Sequence, residues 1–387
     1  MMNENDHNDS DPTAERDEAS TRRRFLQAST IAGVGALAGC VGGGGISSGS
    51  DSSGDGGNGG GGGSGGSTDG NSSSSGGGGY PSKPITVVVP WSQGGGTDRS
   101  TRALTPTWSN VIGGNFAVQN YSGGSTQIGG EQMYNATPNG YNVGMWNLPQ
   151  MPATWIFQDA SYRADDFDYI GTNHADPTLW IAPKGRSYGD MNEFLEYARK
   201  NGGDVTVGLT SAVGNTALSA LLVKDTYDLE FQLVNLEGGS SVRKAILAGD
   251  VDAAVNQPWA FNPANKGKAT GLGTHTEESQ SLWPSVPSFD ELGLSELPYP
   301  EPATVQWKLM LAPSGLQEQY PDRYETLVAT YEKAMMADPY RKRAEDLSGL
   351  SEIIEYNPPE ETQKIVEENV TKMNEYKPLF DQYLSGN

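Results

Sequence analysis

One stretch decides how this chain is organised: Val87-Val88-Val89-Pro90-Trp91-Ser92-Gln93-Gly94-Gly95-Gly96-Thr97-Asp98. The apolar and β-branched residues at 85–89 are typical of a short buried strand. The three glycines that follow let the backbone turn sharply and let a ligand approach it closely. Thr97 or Asp98 is predicted to cap the next helix. The buried face of that helix would carry Leu104, Trp108 and Val111.

A strand that leads through bare glycines into a helix N-terminus is typical of an anion site. The free N–H groups point outward, and the helix dipole favours negative charge. Neither common phosphate motif is present, because no Gly-Lys-Ser/Thr follows the glycines and their spacing differs from a dinucleotide fingerprint. The loop is therefore either a binding loop or a plain tight turn.

The chain before this stretch begins with an export signal. Thr21-Arg22-Arg23-Arg24-Phe25-Leu26-Gln27 is a twin-arginine pattern, with Arg22 and Arg23 as the pair. The weakly apolar run at 28–39 is too short to span a bilayer, which takes about 20 residues. It ends in Leu37-Ala38-Gly39-Cys40, which resembles a lipoprotein-processing box. Residues 1–40 are predicted to be a twin-arginine lipoprotein signal.

Cys40 is the only cysteine, so no disulfide can form within the chain. It is predicted to carry a lipid anchor, and the alternative is a free thiol. The protein would fold in the cytoplasm and then be held at the outer face of the cytoplasmic membrane. Residues 41–79 are almost wholly Gly, Ser, Asn and Asp and predict a flexible tether, which about forty residues would extend over about 35 Å.

The charge balance excludes several partners. The net charge is −22, and removal of the residues before Cys40 would leave −19, because they hold four arginines and seven acidic residues. Such an acidic chain is unsuited to nucleic acid or to an anionic membrane surface. We interpret the spread of acidic residues as a solvated surface adapted to high salt, as in halophilic proteins, since salt screens self-repulsion.

The remaining part, from residue 80 onward, is about 300 residues and can form two domains. Strands are predicted at 85–89, 116–120, 141–147, 167–171, 178–182, 205–209, 231–235, 251–256, 305–312 and 353–356. Helices are predicted after 97 and at 128–136, 191–201, 217–224, 241–248, 320–337 and, as the last element, 359–376. Residues 148–166 are expected to be irregular, and 271–302 to be rich in loops.

This alternation predicts an α/β fold with parallel sheets and helices on both faces. Ligands of such sheets bind beyond the carboxyl ends of the strands, where the glycine-rich loops fall. Because the pattern restarts at 205, two lobes with facing loops and a central cleft are expected. The first lobe would comprise residues 80–184 and the C-terminal return 306–387, and the second residues 185–305.

Enzymatic chemistry finds little support in the sequence. The only histidines are His7, His174 and His275, and no Gly-x-Ser-x-Gly, His-Glu-x-x-His or calcium-loop spacing occurs. Asp165, Asp166 and Asp168 are interpreted as a solvated acidic turn, because no matching cation ligands follow. No metal and no cofactor are expected.

Several motifs in fixed order along almost all of 80–380 resemble one family, the extracytoplasmic solute receptors of tripartite tricarboxylate transporters, or Bug family. The matching residues are Tyr80-Pro81-Ser82-Lys83-Pro84-Ile85, Val89-Pro90-Trp91 with Gly94-Gly95-Gly96-Thr97-Asp98, Asn120 with Gly123, Ile128 and Gly129, Pro138-Asn139-Gly140-Tyr141, Asp250-Val251-Asp252 with Asn256, and Val286-Pro287-Ser288 with Glu291.

The resemblance implies a two-lobed, hinge-closing periplasmic-binding-protein fold of type II. Such a receptor captures a small organic carboxylate and delivers it to integral-membrane transporter subunits, and we expect a monomer. Backbone N–H groups, hydroxyls and ordered water would hold the carboxylate. One lobe would bind it through Trp91, Ser92, Gln93, Gly94, Gly95, Gly96, Thr97, Asp98, Ser125, Thr126 and Asn147. The other lobe would contribute Thr210, Ser211, Asn215, Thr216 and Asn256.

Two departures from the family pattern are visible. Ser125 and Thr126 stand where the family usually has more glycine, and Leu236-Glu237 replaces a usual Tyr-Lys pair. A carboxylate near the cleft would repel a highly charged anion such as citrate, unless Glu237 faces solvent. Trp91 and Trp146 lie at predicted cleft loops and are candidates to line the site. The alternative function is a sensing module that presents its bound carboxylate to a signalling receptor.

Overall fold

The computed structural model describes residues 79–261, 267–299 and 301–385. The predicted export signal, Cys40 and nearly all of the predicted tether lie outside these described residues. In the described part of the chain, no helix is long and apolar enough to cross a membrane.

Within the described residues, ten strands form two five-stranded sheets. The first sheet has the order β2-β1-β3-β10-β4, with β1 at Ile85–Val89, β2 at Phe116–Asn120, β3 at Asn142–Leu148, β4 at Phe167–Pro177 and β10 at Val305–Pro313. The second has the order β7-β6-β8-β5-β9, with β5 at Leu179–Pro183, β6 at Thr206–Leu209, β7 at Gln232–Asn235, β8 at Ala253–Asn256 and β9 at Ala269–Thr274.

The expectation of parallel sheets is only partly correct, because both sheets are mixed. β1 pairs in parallel with β2 and β3, and β6 pairs in parallel with β7 and β8. β10 is antiparallel to β3 and β4, and β5 is antiparallel to β8 and β9. The reason lies in the chain path: β4 leads from the first sheet towards the second, and β10 leads back, so the two run in opposite directions. β5 falls within the range 80–184 but pairs in the second sheet.

Helices cover these sheets. They are α1 at Gly96–Ile112, α2 at Gln127–Tyr134, α3 at Gln150–Phe157, α4 at Met191–Asn201, α5 at Asn215–Thr226, α6 at Gly239–Ala248, α7 at Leu316–Gln319, α8 at Pro321–Met336, α9 at Asp338–Asp346, α10 at Pro359–Glu375 and α11 at Lys377–Ser385. Leu104 and Trp108 of α1 are fully buried as predicted, whereas Val111 is only partly buried.

Four predictions about elements were wrong. The region 148–166 contains α3, which is buried on nearly all sides and therefore shows no amphipathic period. α9 and α11 were not predicted, and α10 is therefore not the last element. Residues 353–356 form no strand, because only Ile354 bridges, to His174 of β4. β9 lies partly in the region expected to be loop-rich.

Candidate functional site

The first wall of the candidate site is the loop between β1 and α1, and Asp98 fastens it. Oδ2 of Asp98 accepts a hydrogen bond from the Gly94 N–H at 2.9 Å, and Oδ1 accepts from Asn120 Nδ2 at 3.0 Å and from Arg102 Nε at 2.9 Å. The predicted cap is wrong: the N-cap of α1 is Gly95, without a side-chain hydrogen bond, and Thr97 and Asp98 lie in the first turn. The first N–H groups of α1 therefore have no side-chain partner at the N-cap.

Asn147, at the end of β3, supports this wall from behind. Its Oδ1 accepts a hydrogen bond from Trp91 Nε1 at 3.0 Å, and its Nδ2 lies 3.0 Å from Thr97 Oγ1. All three side chains are buried. Asn147 thus holds the indole and the hydroxyl in fixed positions.

The second wall follows the carboxyl ends of β6 and β7. Thr210 Oγ1 lies 3.0 Å from Thr216 Oγ1, and the Thr210 carbonyl accepts a hydrogen bond from the Gly238 N–H at 2.7 Å. Gly238 is the N-cap of α6 and also has no side-chain hydrogen bond. Asn256 Nδ2 donates to the carbonyl of Gly239 at 3.3 Å. A second uncapped helix N-terminus is held in place here.

A small cavity lies between these walls, at the carboxyl ends of β1, β6 and β8. It has a volume of about 20 Å³ and is lined by Trp91, Ser92, Gly95, Gly96, Thr97, Thr210, Gly238, Gly239, Gln257, Ala260 and Gln306. A cavity of this size has room for about one water molecule. The N-termini of α1 and α6 both line it, so partial positive charge enters from two sides.

Direct contacts keep the cavity closed. Ser92 Oγ lies 3.1 Å from Ser240 Oγ. Arg99 of α1 donates from Nη2 to the carbonyl of Trp259 at 2.8 Å, and its guanidinium stacks 4.3 Å from the centre of that indole ring. These contacts join the loop and helix after β1 to segments that follow strands of the second sheet.

The sequence profile of the tripartite tricarboxylate transporter family receptor matches residues 101–376, more than half of the chain. The chain belongs to this family. It is 25% identical over 215 residues to a UPF0065 protein of Cupriavidus necator, a match that covers 56% of this chain and 66%, just under two thirds, of that relative's length.

The fold is similar to that of the periplasmic binding protein BugD, with a TM-score of 0.68, 22% identity and coverage of 78% of this chain and 98% of BugD. MatC of Rhodopseudomonas palustris, solved with bound malate, has a TM-score of 0.67, 22% identity and coverage of 78% and 100%. The predicted two-lobed periplasmic-binding-protein fold is thereby confirmed. Proteins of this receptor family are binding proteins and not enzymes.

Six residues predicted for the receptor's site line the cavity: Trp91, Ser92, Gly95, Gly96, Thr97 and Thr210. Others lie behind them, namely Asp98, Asn147, Thr216 and Asn256. The remaining predicted residues are not part of the lining. Gln93 is exposed and Gly94 is half-buried, and Ser125 and Thr126 are buried after β2. Ser211 accepts a hydrogen bond from Gln150, and Asn215 donates one to Thr178. Trp146 is a core residue, fully buried beside Phe167.

Five lining residues of the receptor were missed: Gly238, Gly239, Gln257, Ala260 and Gln306. A signal existed for the glycine pair, which follows a strand and opens a helix as Gly95-Gly96 does. Glu237 next to it is exposed and does not line the cavity. No local signal marks Gln306, which reaches the cavity only because β10 inserts between β3 and β4.

Ser125 and Thr126, where the family usually has more glycine, both have positive φ, +53° and +90°. Such backbone is uncommon for side-chain-bearing residues and strained for a β-branched one. The buried Oγ1 of Thr126 has no hydrogen-bond partner among the described residues.

Charged groups are buried next to residues that line the receptor's cavity. Lys308 of β10 is fully buried, and its Nζ donates a hydrogen bond to Oε1 of the lining residue Gln306. Asp176 of β4 is also fully buried and accepts hydrogen bonds from the N–H groups of Trp259 at 3.2 Å and Ala260 at 3.0 Å. Burial lowers the pKa of Lys308 to about 8 and raises the pKa of Asp176 to about 6, and the attraction between the two opposes both shifts.

The two described histidines are structural. His174 Nδ1 lies 2.7 Å from Oδ1 of Asn173, and His275 lies 2.8 Å from both Ser219 Oγ and the carbonyl of Pro298. Both rings are fully buried, and burial lowers the pKa of each. Among the described residues, no group of three or more His, Cys, Asp or Glu side chains could hold a metal ion.

Proposed function

We propose that the receptor captures a small organic carboxylate outside the cytoplasm and delivers it to the integral-membrane subunits of a tripartite tricarboxylate-type transporter. One observation carries this proposal: two helix N-termini without side-chain caps, one beside each sheet, face the same cavity. Each terminus offers N–H groups and about half a positive charge, so both stabilise an anion between them. The malate bound to MatC has this chemistry.

Capture requires the receptor to open, since a cavity of about 20 Å³ has room for about one water molecule and not for a dicarboxylate. The two sheets with their helices would act as the two lobes, and a ligand that contacts both would shift the population towards a closed form. The contacts of Ser92 with Ser240 and of Arg99 with Trp259 would break when the lobes separate.

Attachment to the membrane is part of the proposal. Twin-arginine export through Arg22 and Arg23 would be followed by lipid attachment at Cys40, with residues 41–79 as the tether and a monomeric body above the outer face of the membrane. We expect Cys40→Ser to move the receptor from the membrane fraction to the soluble fraction. An unchanged distribution would contradict the lipid anchor.

The experiment that tests ligand capture is a thermal-shift series with the whole chain in molar salt. The panel is acetate, malate, adipate and citrate, with neutral diamides as controls for charge. A ligand at 100 times its Kd stabilises the folded state by about 2.7 kcal/mol, which corresponds to several degrees in a protein of this size. A shift with a carboxylate and none with its amide supports the proposal. The absence of any shift, in protein shown to be folded and free of ligand, would contradict it.

A further inference from the structure

We propose that Lys308 determines the charge of the ligand that the receptor accepts, because its buried ammonium lies next to the cavity and reaches it through Gln306. This inference rests on the proposed function, since it concerns the same cavity. It adds a fixed cation to a site whose other donors are backbone N–H groups, hydroxyls and amides.

The position of Lys308 follows from the register of the first sheet. Lys308 lies directly opposite Asn147 of β3 and opposite His174 of β4. Opposite residues in an antiparallel pair project to the same face, so Lys308 shares a face with Asn147. Asn147 bonds Trp91 and Thr97, both of which line the cavity. Gln306, two residues earlier on the same strand, lines the cavity itself.

The hydrogen bonding of Lys308 is incomplete. An ammonium has three N–H donors, and the only acceptor found for Nζ among the described residues is Oε1 of Gln306. No carboxylate in the described part of the chain lies within 4.0 Å of this nitrogen. A buried charge without a close partner is costly to the fold. An anionic ligand in the cavity would supply the partner that this ammonium lacks.

The surrounding charges also leave an excess of positive charge. Arg99 and Arg243 both donate to the carbonyl of Ala260, and the carboxylate of Asp176 accepts from the N–H groups of Trp259 and Ala260. Lys308 and Arg99 both act on this buried carboxylate, inside a protein whose net charge is −22. A ligand carboxylate would restore the local balance and would interact strongly, because the site is shielded from water.

The wild-type receptor offers a test that needs no variant, namely the affinity between pH 7 and pH 9. The unliganded Lys308 has a pKa near 8, and an anion above it would raise this pKa, so binding takes up a proton. Affinity should then fall about tenfold between pH 7 and pH 9. Of the other groups that face Lys308, Asp176 has a pKa of about 6, His174 a pKa well below 6.5 and Arg99 a pKa of about 10, all outside this range. Burial also lowers the pKa of Arg243, which lies beside Arg99.

The variant Lys308→Met removes the charge and keeps most of the volume. At pH 7 we expect its affinity for the tightest-binding member of the panel of acetate, malate, adipate and citrate to fall tenfold to a hundredfold. Its affinity should no longer depend on pH between 7 and 9. Its melting temperature without ligand is measured to show that the variant folds, because the loss of Lys308 deprives the buried Asp176 of an attractive charge. Lys308→Arg should also bind without pH dependence. Lys364→Met, at an exposed lysine, is the matched control and should behave as the wild type.

The outcomes separate this inference from the function on which it rests. Equal affinity and an equal pH profile in Lys308→Met and wild type would overturn the role of Lys308 alone. A wild-type profile that is flat from pH 7 to pH 9 would do the same. A wild-type receptor that binds no member of the panel would overturn the proposed function and this inference with it.

Discussion

Gly96 lies so close to Ala260 that a Cβ added to Gly96 would be 3.0 Å from the Cβ of Ala260. Contacts between Cβ atoms are rarely this short. The pair joins the start of α1 to the segment after β8, and both residues line the cavity. The absence of a side chain at 96 is therefore a condition for bringing the two walls together.

We predict that Gly96→Val prevents closure. Its branched side chain would hold α1 away from Ala260, so the affinity for a carboxylate should fall at least tenfold, as measured by titration calorimetry. Small-angle scattering should show no compaction on addition of ligand. Gly203→Val is a matched control, because a Cβ there would come no closer than 3.7 Å to another atom. Wild-type affinity in Gly96→Val would refute the requirement for this close contact.

Asp98 should be important for both binding and stability. Asp98→Ala removes the shared acceptor of the Gly94 N–H, Asn120 and Arg102, and a buried, charge-assisted network of this kind contributes about 2–3 kcal/mol. We expect a loss of that size in urea unfolding, and weaker carboxylate binding because the loop loses its fastening. Asp381→Ala, at an exposed acid, is the control. If binding and stability both stay unchanged, the loop is held by other contacts.

His275 should make the receptor less stable in acid. Burial lowers its pKa from 6.5 to about 4, so between these values the unfolded chain binds the proton and the folded chain does not. The shift therefore leaves the free energy of unfolding unchanged above pH 6.5. It lowers that free energy as the pH falls towards 4, by up to about 3 kcal/mol. The raised pKa of Asp176 has the opposite effect, because its folded carboxyl binds a proton more readily and so gains stability as the pH falls. Urea unfolding of wild type and His275→Gln isolates the histidine, because Asp176 and His174 are present in both. Parallel pH curves would exclude this role.

The acidic composition predicts that salt stabilises the fold. A net charge of −22 makes the folded chain repel itself, and ions screen this repulsion over about 10 Å at 0.1 M and 3 Å at 1 M. We expect the melting temperature to rise by several degrees from 0.1 M to molar sodium chloride, with most of the rise retained in potassium chloride. Equal melting temperatures at both salt concentrations would exclude adaptation of this surface to high salt.

Local patterns predicted much of the fold. β1 and β2 have the predicted bounds, as does α4, whose N-cap Asp190 accepts a hydrogen bond from the Glu193 N–H at 3.0 Å. These elements show their structure in neighbouring residues, through apolar runs, glycines and a cap. α3 was missed for the complementary reason, since a helix buried on nearly all sides has no polar face to reveal its period.

The lining of the candidate site could be predicted only in part. Residues adjacent to Trp91 in the chain could be identified because a strand, a small-residue loop and a helix start follow one another. Thr210 was predicted from the resemblance to the receptor family. Gln257 and Gln306 could not be identified, because nothing in their neighbourhood indicates that they turn towards a cavity.

The sequence by itself determined the acidic charge, the order of most strands and helices, the glycine loop at 94–96 and membership in a receptor family. Only the tertiary structure decided that β10 inserts between β3 and β4. This insertion brings Gln306 to the same cavity as Trp91, although the two are more than 200 residues apart along the chain, and places Lys308 beside Gln306. The physical reason is that a local pattern reports the contacts of neighbours in sequence. The pairing of distant strands depends on the packing of the whole sheet.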